Sequence, residues 1–410
     1  LRVEPGRVTF PQPLARAMVR GAAPLAERRA AHLLLAGALD GPGQRLRRAQ
    51  HLAAAAEGQD PALARELEQA AAHDGVGGDA ASAALQRAAE LTADPARAAA
   101  RLVAAARYAW SAGRSHRARL LLGSPPAVAE PTVTGRAALL RGELDLRGGR
   151  ARSALTALLA AADTLAGSDR ALALGALVRA GEAVCFSGDQ YRYAEVARRA
   201  EPLRRPDDPP TTELLSAYVA GVAATLRGDH ERAGPALRRA VVLGGHLAGS
   251  ALTPAALTCA AAAGLLVAVD AAAHRLAERA VELAHRGELS ALPRALDLRA
   301  AAEYWLGRHD AAAETSREGL RIARDTGQDN WAGVHLGMLA VLAAVRADRD
   351  TSLRRIREIG ENPGGHSRPR ALAQWALAVL DLAAGRHAAA AARLTALARP
   401  GTGRGQVLVQ

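Results

Sequence analysis

Lysine is absent from this 410-residue chain, so all 53 of its basic side chains are arginine. A P-loop places a lysine ammonium on its phosphates, so the chain carries no such nucleotide site. Aromatics are nearly as scarce, at 3% of residues, with two phenylalanines, five tyrosines and four tryptophans. Strands draw on β-branched and aromatic residues, and that shortage excludes a β-rich fold. Two cysteines, Cys185 and Cys259, lie too far apart in sequence to frame a small disulfide domain. They read as small buried residues of a protein kept in a reducing, cytoplasmic compartment. No uninterrupted apolar run approaches the ~18 residues of a membrane span. The opening "LRVEPGRVTF" has neither a methionine nor the plan of a signal peptide, and the chain reads as a piece of a longer one.

What is present is alanine, leucine, arginine and glutamate, all strong helix formers, in a chain that is 50% apolar. The fold class expected is all-α, with small residues that let helices approach closely. The net charge of +12 resembles that of a nucleic-acid binder. Yet the arginines alternate with glutamates ("RELEQ", "REGLRIARD"), and no basic run stands beside aromatics. Solvated helix faces and a GC-rich coding bias account for the charge better than a direct DNA contact does.

One pattern recurs along the chain: an apolar helix end, a glycine, a charged residue, then an alanine-rich run. It is seen in "WSAGRSHRA", "TLRGDHERA", "YWLGRHDAAAE" and "LAAGRHAAA". Anchored on Gly78, Gly113, Gly149, Gly188, Gly228, Val269, Gly307, Ala347 and Gly385, the copies fall 35 to 41 residues apart. A steady period of this length marks a solenoid of helix pairs. A glycine in the left-handed conformation ends each first helix. A small residue five positions on (Ala83, Ala118, Ala154, Ala233, Ala312, Ser352, Ala390) marks the crossing with the second. The unit at Gly188 is expected to carry one extra residue, placing Ala194 at the crossing, and the unit at Val269 is expected to be degenerate. Proline-rich and glycine-rich stretches at 124–131, 204–210, 244–254 and 360–369 separate the units.

"GDHERA" at 228–233 and "GRHDAA" at 307–312 resemble the turn of the tetratricopeptide repeat (TPR), with histidine at its usual tyrosine position. The resemblance implies a right-handed superhelical solenoid of about nine TPR-like helix pairs over residues 59–400, with a tail at 401–410. Residues 1–58 break the period. "VTFPQPLARAMVRGAAPLAERRAAHLLLAGAL" and "RRAQHLAAAAEGQDPALARELEQAA" resemble the segment that follows the ATPase module in large ATP-binding LuxR-family regulators. Phe10, Pro13-Leu14, Glu27-Arg28-Arg29, His32 and His51-Leu52 carry that likeness. Gln12 stands where the family has a histidine, and Gln50 where it has a tryptophan. The likeness covers about the first 70 residues. It implies a short winged-helix-like remnant at 1–58, followed by the sensor and regulatory arm of an ATP-dependent transcriptional activator. ATP would bind only an upstream module, and DNA only a helix-turn-helix that this chain lacks. The partner implied is a small-molecule inducer or a protein, with a homodimer as a further option.

No catalytic chemistry is legible. His-x-x-x-His and Gly-x-Ser-x-Gly are missing, so neither a metal ligand set nor a serine nucleophile is expected. His230, His309 and His387 share one repeat position, which makes them structural. The few aromatics either fill core space that alanine cannot, or line a groove and stack on a ligand. Trp331 is the leading candidate, in "DNWAGVHLGMLA", with His335 one helical turn on. Arg299, Tyr304 and Tyr218, on other first helices, complete the candidate set. A protein–protein or dimerisation scaffold with no small-molecule ligand is the alternative.

Overall fold

The computed structural model describes residues 2–4, 7–9, 13–41, 43–73, 77–123, 130–360 and 367–398. Phe10, Gln12, most of the breakers at 124–131 and 360–369, and the glycine-rich tail at 401–410 lie outside the described residues. The described residues divide into two compact units, one made of those from 2 to 108 and the other of those from 109 to 398.

The first unit opens on an antiparallel strand pair, β1 (Arg2–Glu4) and β2 (Arg7–Thr9), in which Val3 faces Val8. Then follow α1 (Pro13–Ala22), α2 (Leu25–Gly37), α3 (Arg45–Ala55), α4 (Pro61–Ala71), α5 (Gly78–Glu90) and most of α6 (Pro95–Ser111). α2 packs on α3, α3 on α4 and α4 on α5. Asp60 starts α4: its carboxylate accepts from the amides of Ala62 and Leu63, and Pro61 occupies the first turn, where no amide is missed. Gly78 is here the first residue of α5, not a turn glycine, and Ala83 is exposed. The close contacts are made instead by Ala81 and Ser82, both fully buried.

The second unit is an α-solenoid. From the end of α6 it runs through α7 (Ser115–Leu122), α8 (Pro131–Arg147), α9 (Ala151–Leu165), α10 (Arg170–Ser187), α11 (Tyr193–Ala200), α12 (Pro210–Arg227) and α13 (His230–His246). It continues with α14 (Pro254–Leu266), α15 (Asp270–His285), α16 (Leu292–Trp305), α17 (His309–Asp325), α18 (Asp329–Val345), α19 (Arg349–Gly360), α20 (Ser367–Ala383) and α21 (His387–Ala398). Every even-to-odd turn from α6–α7 to α20–α21 contains one residue with positive φ: Gly113, Gly149, Gly188, Gly228, Ala268, Gly307, Ala347 or Gly385. The expected anchor Val269 is therefore displaced by one to Ala268. With that shift Ala273 falls at the fifth position and is fully buried, so the unit is regular rather than degenerate.

The unit at Gly188 also departs from expectation. It carries no extra residue, and Ala194 is exposed. The fifth position is Tyr193, 2% exposed, and the facing helix makes room with Gly181, where a Cβ would lie 2.7 Å from the ring. Elsewhere the crossing residue is small and buried, as at Ala118, Ala154, Ala233, Ala312, Ser352 and Ala390.

Odd-numbered helices such as α17 bury one stripe and leave the other face in water, as an outer layer does. The even-numbered helices pack on both neighbours and on one another. Every residue of α18 from Asn330 to Ala344 is buried. That enclosure has a second cause: the solenoid touches itself. Five helix pairs on from α8 comes α18, and the two are in contact; five on from α10 comes α20, and these are in contact too. The α6–α7 turn obeys the same interval, since a Cβ on Gly113 would lie 2.7 Å from the Thr326 methyl at the end of α17. The concave groove expected between first helices is thereby filled with side chains.

Candidate functional site: a charged chamber on the solenoid axis

Where α8 and α10 meet α16, α18 and α20, the core stops being alanine and leucine. Glu182 of α10 accepts from Arg147 of α8 and, at 2.9 Å, from Arg294 of α16. Arg179 pairs with Glu143 at 3.1 Å, and Arg368 of α20 pairs with Asp297 of α16 at 2.7 Å. None of these seven side chains is more than 16% exposed. Burial pushes the Glu182 carboxyl upward, but Arg147 and Arg294 outweigh it and hold the group below the usual carboxylate range.

Trp331, 1% exposed, stands at the centre. The guanidinium carbons of Arg147 and Arg368 lie 5.4 and 5.5 Å from its ring centroid, so two cations from different turns contact one indole. Phe186 meets the same ring edge-on at 5.3 Å. Beside it, the Asn330 amide donates to the Leu146 carbonyl, and the Ser367 hydroxyl donates to the Cys185 carbonyl at 2.8 Å. Each of these bonds joins successive turns of the solenoid.

Around Trp331 lies a cavity of about 70 Å³, with Glu182, Tyr193, Tyr218, Arg294, Asp297 and Arg368 in its wall. A second, of about 50 Å³, adjoins it at Arg294 and reaches Glu143 and Arg179. Two polar atoms in the wall of the first are buried without a hydrogen-bond partner, Asp297 Oδ1 and Trp331 Nε1. One is an acceptor and the other a donor. Burial raises the Cys185 thiol to about 11 and pushes the Tyr218 phenol up as well, so both stay neutral here. Neither cysteine is in a disulfide.

Of the residues expected from sequence, Trp331 and Tyr218 share this wall. The other three lie elsewhere. His335 is fully buried; its Nε2 donates to the Pro293 carbonyl at 2.9 Å, and its ring lies where a Cβ on Gly319 would be, 2.2 Å away. Arg299 pairs with Glu303 along its own helix at 2.9 Å. Tyr304 belongs to a surface cluster with Trp305, Trp375 and His309, in which Trp305 is 45% exposed. Sequence reasoning missed Glu143, Arg147, Arg179, Glu182, Arg294, Asp297 and Arg368. The available signal was charge three or four residues apart on otherwise apolar first helices, as in "RGELDLR", "VRAGEAV" and "LPRALDL".

Among the described residues no cluster of His, Cys, Asp and Glu could hold a metal ion, and no helix is long and apolar enough to cross a membrane. No protein-family model matches the chain, and no curated protein matches it.

Proposed function

We propose that this chain is the sensor and regulatory arm of a LuxR-type, ATP-dependent transcriptional activator. In this reading the helix pairs are TPR-like, wound in a right-handed superhelix, and the axial chamber receives the inducer. One observation carries the proposal: an aromatic-walled and charged chamber, with Asp297 Oδ1 and Trp331 Nε1 unpartnered, lies where successive turns of the solenoid meet. Buried ion pairs stabilise little against a packed apolar core, so their presence is better explained by a switch than by stability. A cavity of about 70 Å³ is smaller than the ~150 Å³ that accepts benzene, so this is a closed state. An inducer larger than a few water molecules enters only if α8 and α10 part from α16, α18 and α20. By binding the parted state more tightly it shifts the population toward it. The arm acts by recognition and not as an enzyme, and ATP and DNA are handled by other modules.

Native mass spectrometry of the purified chain tests this. A stoichiometric small-molecule adduct, lost on denaturation and absent from Asp297→Asn and Trp331→Phe chains that keep wild-type helicity, is the expected result. A clean monomer with no adduct after exposure to the host's metabolite extract contradicts it. The surface cluster of Tyr304, Trp305 and Trp375 favours a second reading, a protein-binding or dimerisation scaffold, for which the same measurement would show an adduct-free dimer.

A further inference from the structure

The helix α11 has 8 residues, whereas the second helices α9, α13, α15 and α17 have 15, 17, 16 and 17. "EPLRRPDDPP" cuts it short, because prolines at 202, 206, 209 and 210 cannot continue a helix. A full-length second helix would cover the outer face of α12. Instead a groove of about 380 Å³ remains between α11 and α12, large enough for a small organic ligand. Its floor is one stripe of α12, Ser216, Val219, Ala220 and Ala223, extended by Ala194 and Ala197 of α11.

Four arginines and one glutamate line the groove: Arg198, Arg204, Arg227 and Arg232, with Glu201. Arg232 lies near Asp229, at 3.6 Å. No ion pair or side-chain hydrogen bond engages the guanidiniums of Arg198, Arg204 or Arg227 among the described residues. The floor contains one unsatisfied polar group. A serine inside a helix can return its hydroxyl to the carbonyl four residues back. Thr225 of the same helix does so, to Gly221 at 2.9 Å. Ser216, 5% exposed, does not: its hydroxyl has no partner and is buried beneath the floor of the groove.

We infer that this groove is a binding site for a small organic phosphate. Planar guanidiniums match phosphate oxygens in paired, charge-assisted hydrogen bonds. The alanine and valine floor accepts the organic part, which inorganic phosphate lacks. The site is separate from the axial chamber and does not depend on its reading.

Isothermal titration calorimetry on the whole chain, at fixed ionic strength, uses phenyl phosphate and inorganic phosphate as probes. Saturable one-to-one binding of phenyl phosphate, about tenfold tighter than inorganic phosphate, is expected. Arg204→Ala and Arg227→Ala should each weaken it about tenfold or more, the scale of a hydrogen bond to a charged group. Ser216→Leu, which fills the floor and leaves the charges untouched, should abolish binding of phenyl phosphate. Circular dichroism confirms that each variant is folded; the arginines are exposed and are not part of the core. Absence of saturable binding, or unchanged affinity in the arginine variants, overturns the site. Equal affinity for the two probes overturns the assignment of an organic ligand.

Discussion

Replacing Glu182 with glutamine removes the one carboxylate that serves two buried guanidiniums, Arg147 and Arg294, while keeping the side-chain shape. The arginines cannot lose their protons, and at 7% and 13% exposure both are largely cut off from water. Breaking a buried ion pair from one side costs about 3–5 kcal/mol. At about 2 °C per kcal/mol, the lower end for a large domain, Tm should fall by about 6–10 °C. Thermal unfolding followed by circular dichroism at pH 7 is the assay. The fall should persist in high salt, which screens exposed pairs but not buried ones. A triple variant, Arg147→Met, Glu182→Leu and Arg294→Met, tests the cause. Removing the whole network should bring Tm back to the wild-type value or above it, because an apolar replacement of a buried ionic group is often neutral or better. Glu182→Gln melting within about 1 °C of wild type, or the triple variant melting as low as the single, would refute the reasoning.

Two further outcomes follow from described geometry. Burial lowers the pKa of His335, despite Asp297 and the Pro293 carbonyl, so the native state holds this ring neutral while the unfolded chain takes up a proton below about pH 6.5. The unfolded state then binds more protons, so stability should fall as pH drops from 7 to 5, by at most about 1.4 kcal/mol per pH unit from this group. Denaturant titrations of His335→Gln should show a shallower dependence than wild type, and an unchanged slope would count against the assignment. Ala268 and Ala347 hold φ of 57° and 59°, where a Cβ costs about 1–2 kcal/mol. Ala268→Gly and Ala347→Gly should each stabilise the chain by about 0.5–1 kcal/mol after the added freedom of the unfolded glycine is subtracted. A lowered denaturation midpoint for both would contradict this.

The repeat was legible in the sequence because it rests on local chemistry. Gly113, Gly149, Gly228, Gly307 and Gly385 all take the left-handed conformation that their position between two helices demands. Register failed where another residue did the same work. Ala268 adopts that conformation without being glycine, which hid the anchor beside Val269. Tyr193 replaces a small residue because Gly181 yields space from a helix earlier in the chain, and a search for alanine at one offset cannot see that exchange. The site was less legible still. Trp331 stood out by its rarity, but its two flanking cations, Arg147 and Arg368, come from helices far away in sequence. His335 and Arg299 share elements with chamber residues and face elsewhere, since helical spacing fixes a face but not what lies opposite it.

Contact at an interval of five helix pairs has a consequence for how this chain could have grown. A solenoid whose units touch only their neighbours gains or loses a unit anywhere at modest cost. Here, inserting one pair between α8 and α18 would carry Asn330 away from Leu146 and Trp331 away from Arg147 together. Duplication is thus penalised throughout the stretch from the α6–α7 turn to α20 over which turns touch. The self-contact turns a modular string into a counted one, in which the number of units between the two turns is part of the structure.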